Sequence, residues 1–270
     1  MYCRMIITES LQHAAEEITR TLDAEGFAVA MTAGEATAYV CHGGFADGTL
    51  ITPTTYFYAA SLTKQLIGAL VAIAIERGLL SYETGVTELL ADLPSWMADI
   101  RVRHLLHHTA GLPELAETAQ DWPEDNAAAL RALCASHHAV IIPGTQHVYS
   151  NAGYILLTEV LTAAFSHPVA DLAQEFLFAP LGMHKSRLGG GGPHLSGYPD
   201  PPGTIGDGGW WTTIVDLQTW LSALNTHRLP YALERIEAPG YLNDGTTLGY
   251  AWGLGVAEID GRRTVFHGGG

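Results

Sequence analysis

The sequence predicts an α/β chain of the α+β kind. An antiparallel sheet drawn from both chain ends is flanked by helices, and a mostly helical subdomain is inserted between them. Three observations predict this. Strand-like segments lie near the two ends. The stretch between them is helical in period and punctuated by prolines. The 270 residues are 47% hydrophobic, enough to bury a sizeable core in one large domain or two subdomains.

The elements follow in order. Glu9 to Glu25 is helical in spacing: Leu11, Ala15, Ile18 and Leu22 share a face, and Gly26 can end the helix. Phe27–Thr32 and Ala36–Cys41 read as a hairpin across Ala33-Gly34-Glu35. A helix is expected from Leu62 to Arg77, stopping at Gly78. Candidate helices follow at Val102–His108, Glu124–Ser136, Ala152–Phe165 and Val169–Phe178, set apart by Pro94, Pro113, Pro123, Pro143, Pro168 and Pro180. Gly189 to Gly209 is rich in Gly and Pro and is expected to be irregular. Thr213–Asn225 returns to helix, with Thr212 or Thr213 as cap and Asp216 in the first turn. Leu248–Ile259 and Arg263–His267 read as strands joined at Asp260-Gly261. The expected division is residues 1–60 and 208–270 in a sheet subdomain and 61–207 in a mostly helical one. No internal repeat is present.

The formal net charge of −15 and the acidic balance repel phosphate backbones, so no nucleic-acid partner is expected. The bland reading, a solvated acidic surface, suffices for this charge. Cys3, Cys41 and Cys134 are widely spaced and odd in number, without disulfide or zinc spacing. Met1–Ser10 lacks the apolar core of a secretory signal, and the run Leu66–Ile75 is too short to span a bilayer. A cytoplasmic protein with no membrane association is therefore expected, with its oligomeric state open.

Ser61-Leu62-Thr63-Lys64 stands at the start of the expected second helix. Three residues are nearly one turn, so both side chains share a side. A serine hydroxyl needs a base, and a lysine held in a dry pocket can lose its proton and serve as one. The helix N-terminus adds a positive dipole end, and the serine N–H can face an oxyanion. The bland alternative is an N-cap serine beside a solvated lysine. Against it, Lys64 is one of two lysines in the chain and leads straight into an apolar run, and a lone lysine on a buried helix needs a reason.

Two further elements follow in order: Tyr149-Ser150-Asn151 and His267-Gly268-Gly269. With the Ser-x-x-Lys element, and with Leu105–Pro113, Pro143-Gly144-Thr145, Pro180–Met183 and Gly208–Thr213 around them, the chain from about Thr54 to Gly270 resembles the penicillin-recognising serine hydrolases. These include class C β-lactamases, D-alanyl-D-alanine carboxypeptidases and family VIII esterases. The resemblance implies an acyl-enzyme on Ser61, with Lys64 as base. Tyr149 would shuttle a proton to the leaving group, its pKa lowered by Lys64. Asn151 would bind a polar group of the substrate, with His267, Gly268 and Gly269 beside it. The N–H groups of Ser61 and Gly270 would form the oxyanion hole. Read without the resemblance, Tyr149 is a core tyrosine and Asn151 a helix N-cap before Ala152; Asn151 could do both.

The resemblance implies no cofactor and no metal. It makes a small ester, amide or lactam the expected substrate. His267 stands where most β-lactamases carry a lysine. A histidine gives no fixed charge for a substrate carboxylate near neutral pH, so esters or small amides are expected ahead of D-amino-acid peptides, and those ahead of β-lactams. The chain ends inside the third element, whereas related proteins continue through further strands and a helix. A C-terminal fragment completing the sheet is therefore an expected partner. The rival reading is a truncated, non-catalytic ligand-binding relative.

Other signals are weaker. His104, His107 and His108 have a spacing that could hold a metal, but no carboxylate or further histidine is placed to complete a site. His137-His138 reads as a solvated helix end. Trp210-Trp211 could line a pocket or simply fill core. The glycines 189–192 lack the Lys-Ser/Thr of a phosphate loop.

Overall fold

The computed structural model describes residues 2–20, 26–34, 36–45, 47–115, 122–136, 139–189, 203–226 and 235–270. Helix α1 spans Tyr2–Thr19. Its expected C-terminal turn, the His137-His138 pair and glycines 190–192 lie outside the described residues. Strands β1 (Phe27–Ala33) and β2 (Ala36–His42) form the expected hairpin, paired from Phe27↔His42 to Ala33↔Ala36. Strand β3 (Phe57–Tyr58) leads through a tight turn, Ala60–Leu62, into α2 (Thr63–Glu76).

The helical block contains α3 (Val86–Leu89), α4 (Val102–Leu106), α5 (Asn126–Ala135), α6 (Asn151–Phe165), α7 (Val169–Ala173) and α8 (Ala179–Leu181). The helix expected over Val169–Phe178 changes character at Gln174, where the turns widen to i→i+5 up to Phe178. The block ends on β4 (Arg187–Leu188). Strand β5 (Trp210–Thr212), α9 (Ile214–Asn225), β6 (Gly255–Ile259) and β7 (Arg262–Phe266) complete the chain. Thr213 caps α9, accepting from the Asp216 N–H at 3.2 Å.

One strand expectation is corrected. The strand anticipated from Leu248 begins only at Gly255. Ahead of it, Gly253 adopts φ +82 and the Ala251 N–H turns back to the Leu254 carbonyl, a conformation no extended strand holds. The expected antiparallel pairing is present, laid out among the described residues as three small sheets: β1-β2, β3-β5-β4 and β6-β7. Strand β4, from the helical block, pairs with β5, drawing that block into the sheet layer. Between β1 and the end of β7 runs an apolar groove of about 300 Å³, lined by Ala28, Phe57, Leu62, Leu217 and Gly269 among others.

The core explains the placement of the site. Helix α2 is apolar on all sides, and Leu66, Ile67, Leu70 and Val71 have no exposed surface, as befits a central helix. Each such side chain contributes about 1.5–3 kcal/mol by leaving water. Helix α6 packs against α2 with Ile155, Leu156, Leu157, Val160 and Leu161 equally buried. Gly68 lets the chain at Trp252 come close; a Cβ there would overlap the Trp252 carbonyl. On another side, Trp220 Nε1 donates to Gln65 Oε1 at 2.9 Å. The N-terminal ends of α2 and α6 are thereby fixed next to each other.

Candidate active site

Ser61 sits within the Ala60–Leu62 turn, one step ahead of α2 rather than inside it. Ala60, before it, is in the left-handed region at φ +47, costing a residue with a Cβ roughly 1–2 kcal/mol. The turn is held from outside. Thr63 Oγ1 donates to the Ala60 carbonyl at 2.7 Å and accepts from the Trp210 N–H at 3.1 Å.

Lys64 is fully buried. Its Nζ lies 3.1 Å from Ser61 Oγ and donates to Asn151 Oδ1 and to the Asp207 carbonyl, both at 2.8 Å. A neutral amine has two N–H donors and one lone pair. Asn151 Oδ1 and the Asp207 carbonyl can only accept, so they take both N–H groups, and the lone pair is left facing the Ser61 hydroxyl. Desolvation favours that neutral state. It pulls Lys64 down to about 7, while the Asp207 charge pulls weakly upward.

Asp207 was not singled out from sequence. Burial raises its carboxyl above the usual range, against the lowering effect of Lys64 and of a bond from Thr204 Oγ1. Its Oδ1 is buried without a hydrogen-bond partner. The segment that carries it is tied down through Asn126, whose Oδ1 accepts the Ile205 N–H at 2.7 Å and whose Nδ2 donates to the Ile205 carbonyl. Nothing in composition distinguishes Asp207 from other acidic residues; its glycine neighbours were the one available signal.

Tyr149 stands beside this pair with Lys64 Nζ 4.9 Å above its ring centroid. The expected lowering of the phenol is not found: burial raises Tyr149 above its ordinary value, partly offset by the Ser61 hydroxyl. Asn151 opens α6, but the cap is Ser150, whose Oγ accepts the Gly153 N–H at 3.3 Å. The capping alternative for Asn151 is thus corrected, and its amide is free to serve Lys64.

The third element divides. His267 Nδ1–H donates to the Gly268 carbonyl at 2.6 Å, which leaves Nε2 to accept from the Tyr250 hydroxyl at 2.9 Å. Burial lowers its pKa, so the ring is neutral near pH 7. Gly269 packs against the Ala59 carbonyl, where a Cβ would collide, whereas Gly268 faces open space. Gly270 shares a cleft of about 230 Å³ with Ser61, Tyr58, Trp122, Asn151 and Asp207.

Trp210 and Trp211 are core residues, not walls of this cleft. Trp210 lies 6.3 Å from both Phe178 and Trp220, and Trp211 lies 5.4 Å from Tyr58, centroid to centroid. Trp122, which the sequence reading passed over, is the tryptophan of the cleft. The three histidines are buried singly: His104 Nδ1 accepts the Arg101 N–H, His107 approaches the Tyr250 carbonyl, and His108 accepts the Ser150 N–H. No cluster of metal-ligating side chains occurs among the described residues.

Comparison with known proteins adds to this geometry. A family model described as Beta-lactamase matches residues 11–270. The chain is 25% identical over 251 residues to a D-aminopeptidase of Gluconobacter oxydans, covering 81% of this chain and 45% of that protein. It is 27% identical over 206 residues to the unguisins hydrolase ungD of Aspergillus violaceofuscus, covering 67% and 36%. The chain thus spans less than half the length of these relatives. Among solved structures, a β-lactamase/D-alanine carboxypeptidase from Yersinia pestis superposes with a TM-score of 0.81 at 21% identity, covering 95% of this chain and 83% of that one.

Proposed function

Because the chain belongs to the β-lactamase family, we propose that it is a serine hydrolase that forms an acyl-enzyme on Ser61, acting first on esters or small amides. The observation that carries this is the buried Lys64, held near neutrality 3.1 Å from the Ser61 hydroxyl with its lone pair directed there. In the first step Ser61 Oγ attacks the substrate carbonyl and its proton passes to Lys64 Nζ. The oxyanion draws on the N–H of Ser61, at the mouth of α2, and on that of Gly270. Tyr149, raised and therefore protonated, hands a proton to the leaving alcohol or amine and recovers one from Lys64. Water then attacks the acyl-enzyme, Lys64 accepts its proton and passes it to the departing Ser61 Oγ, and the acid leaves with both residues restored.

The neutral His267 offers no fixed charge for a substrate carboxylate, which places β-lactams behind esters and amides. D-amino-acid peptides are the second reading, favoured by the similarity to the Gluconobacter D-aminopeptidase. Intact mass after exposure to an activated p-nitrophenyl ester and to a fluorophosphonate tests the proposal on this chain and on Ser61→Ala. One adduct per chain on the first and none on the second is expected. A folded chain that takes up neither reagent would overturn it.

A further inference from the structure

We propose that His108 is a positioning residue for Tyr149, gripping the backbone on both sides of that tyrosine and backing its ring. The proposal rests on the reading of Ser61 and Tyr149 given above. Three observations converge on His108. Its carbonyl accepts the Val148 N–H at 2.8 Å, and its Nδ1 accepts the Ser150 N–H at 3.1 Å. The N–H groups of both residues next to Tyr149 are therefore bound to one residue. The imidazole lies 4.3 Å from the Tyr149 ring, centroid to centroid, at an interplanar angle of 34°. Tyr154 and Tyr250 close around its other contacts at 5.0 and 4.6 Å.

The second line is backbone geometry. His108 adopts φ +54, a conformation that asparagine or glycine takes more readily than histidine. A histidine persists in such a place when the surrounding structure over-determines it. Here it does: the left-handed turn just past α4 lets one residue present both a carbonyl and a ring acceptor to the 148–150 segment.

The third line is the tautomer. An Nδ1 that accepts must be unprotonated, so the ring is neutral with its proton on Nε2, which is buried without a partner. Burial favours the neutral form, and Lys64, His147, His267 and His107 all oppose a charge there. The Ser150 bond has a second consequence. Ser150 caps α6 and Asn151 begins it, so the imidazole that sets Tyr149 also sets the helix entry that delivers Asn151 to Lys64.

His108→Gly and His108→Asn test this. Both fit the left-handed backbone, and both keep the carbonyl acceptor. Asparagine restores an acceptor near the Nδ1 position but lacks the ring; glycine has neither. The rate of Ser61 acylation by the p-nitrophenyl ester is expected to fall about 100-fold in the glycine variant with KM little changed, and to return to within about tenfold of the parent in the asparagine variant. A glycine variant as fast as the parent, or two variants equally slow, overturns the proposal. If the glycine variant does not fold, asparagine alone decides, since retention there cannot come from ring packing and loss rules out the hydrogen bond. If the parent itself is not acylated, the proposed function fails but His108 is still tested by crystallography. Tyr149 displaced in His108→Gly and in place in His108→Asn supports the assignment; Tyr149 unmoved in His108→Gly overturns it.

Discussion

Lys64 and Asp207 are the two buried titratable groups on which the proposed chemistry turns, and burial shifts one down and the other up. Burial drives the lysine toward its neutral, basic form, and the carboxylate holds back part of that shift. A base acts only when unprotonated, so the acylation rate is expected to rise with pH through about 7. Asp207→Asn removes the attraction that favours the ammonium. The acid limb of the pH–rate profile should then move to lower pH, with the amide still able to accept from Thr204. A limb that stays in place or moves upward would show that Asp207 does not reach Lys64 electrostatically. The two residues were unequally visible beforehand. Lys64 announces itself as a lone cation entering an apolar run. Asp207 acts through a backbone carbonyl and a long-range field, and neither leaves a mark on spacing.

Among the elements, α2 carries the greatest constraint, because its N-terminal end holds Lys64 while its middle is wedged against the Trp252 segment. Gly68 and Gly253 are the two contact points: a Cβ on the first would strike the Trp252 carbonyl, and on the second the Lys64 carbonyl. Gly68→Ala is expected to raise local helix propensity and yet lower overall stability by about 1–3 kcal/mol through overpacking. The urea midpoint measures this, and an unchanged or higher midpoint would show that the Trp252 segment yields freely. The helices were the most legible elements. Period and proline spacing placed α2, α5, α6 and α9 within a few residues, since these helices are long and half or more apolar. The strands were less so. Leu248–Leu254 alternates like a strand, but close packing against α2 turns it at Gly253. Two-residue strands such as β3 and β4 exist only through their pairing with β5 and have no pattern of their own. The site followed the same division. Ser61, Lys64 and Asn151 come together as their motifs suggest, whereas Trp122 and Asp207 lie in irregular segments that no local pattern specifies, and His108, although inside the Leu105–Pro113 stretch, shows its hold on the 148–150 segment only in three dimensions.

The whole molecule carries a second consequence of burial. His104 and His107 are lowered to about 4, both chiefly by desolvation, and His108 falls well below its ordinary value for the same reason. In an unfolded chain each would titrate at about 6.5. Between these values the unfolded state binds more protons, so stability is present above about 6.5 and is lost as pH falls toward 4. Urea midpoints at pH 8, 6 and 4.5 should fall in steps, a moderate drop by the second and a larger one by the third. A flat series would mean that the three imidazoles escape burial in solution.

The buried amine and the buried imidazoles are thus set well apart on the pH axis. Near pH 6 the lysine is mostly an ammonium and the imidazoles remain neutral. The proposed acylation there is expected to run about tenfold slower than its alkaline limit, because only about a tenth of Lys64 is free base one unit below 7. Substrate can be soaked into crystals or mixed in solution under those conditions and the reaction started by a jump to alkaline buffer. Most molecules then start together, and the proposed acyl-enzyme can be followed in time rather than only trapped.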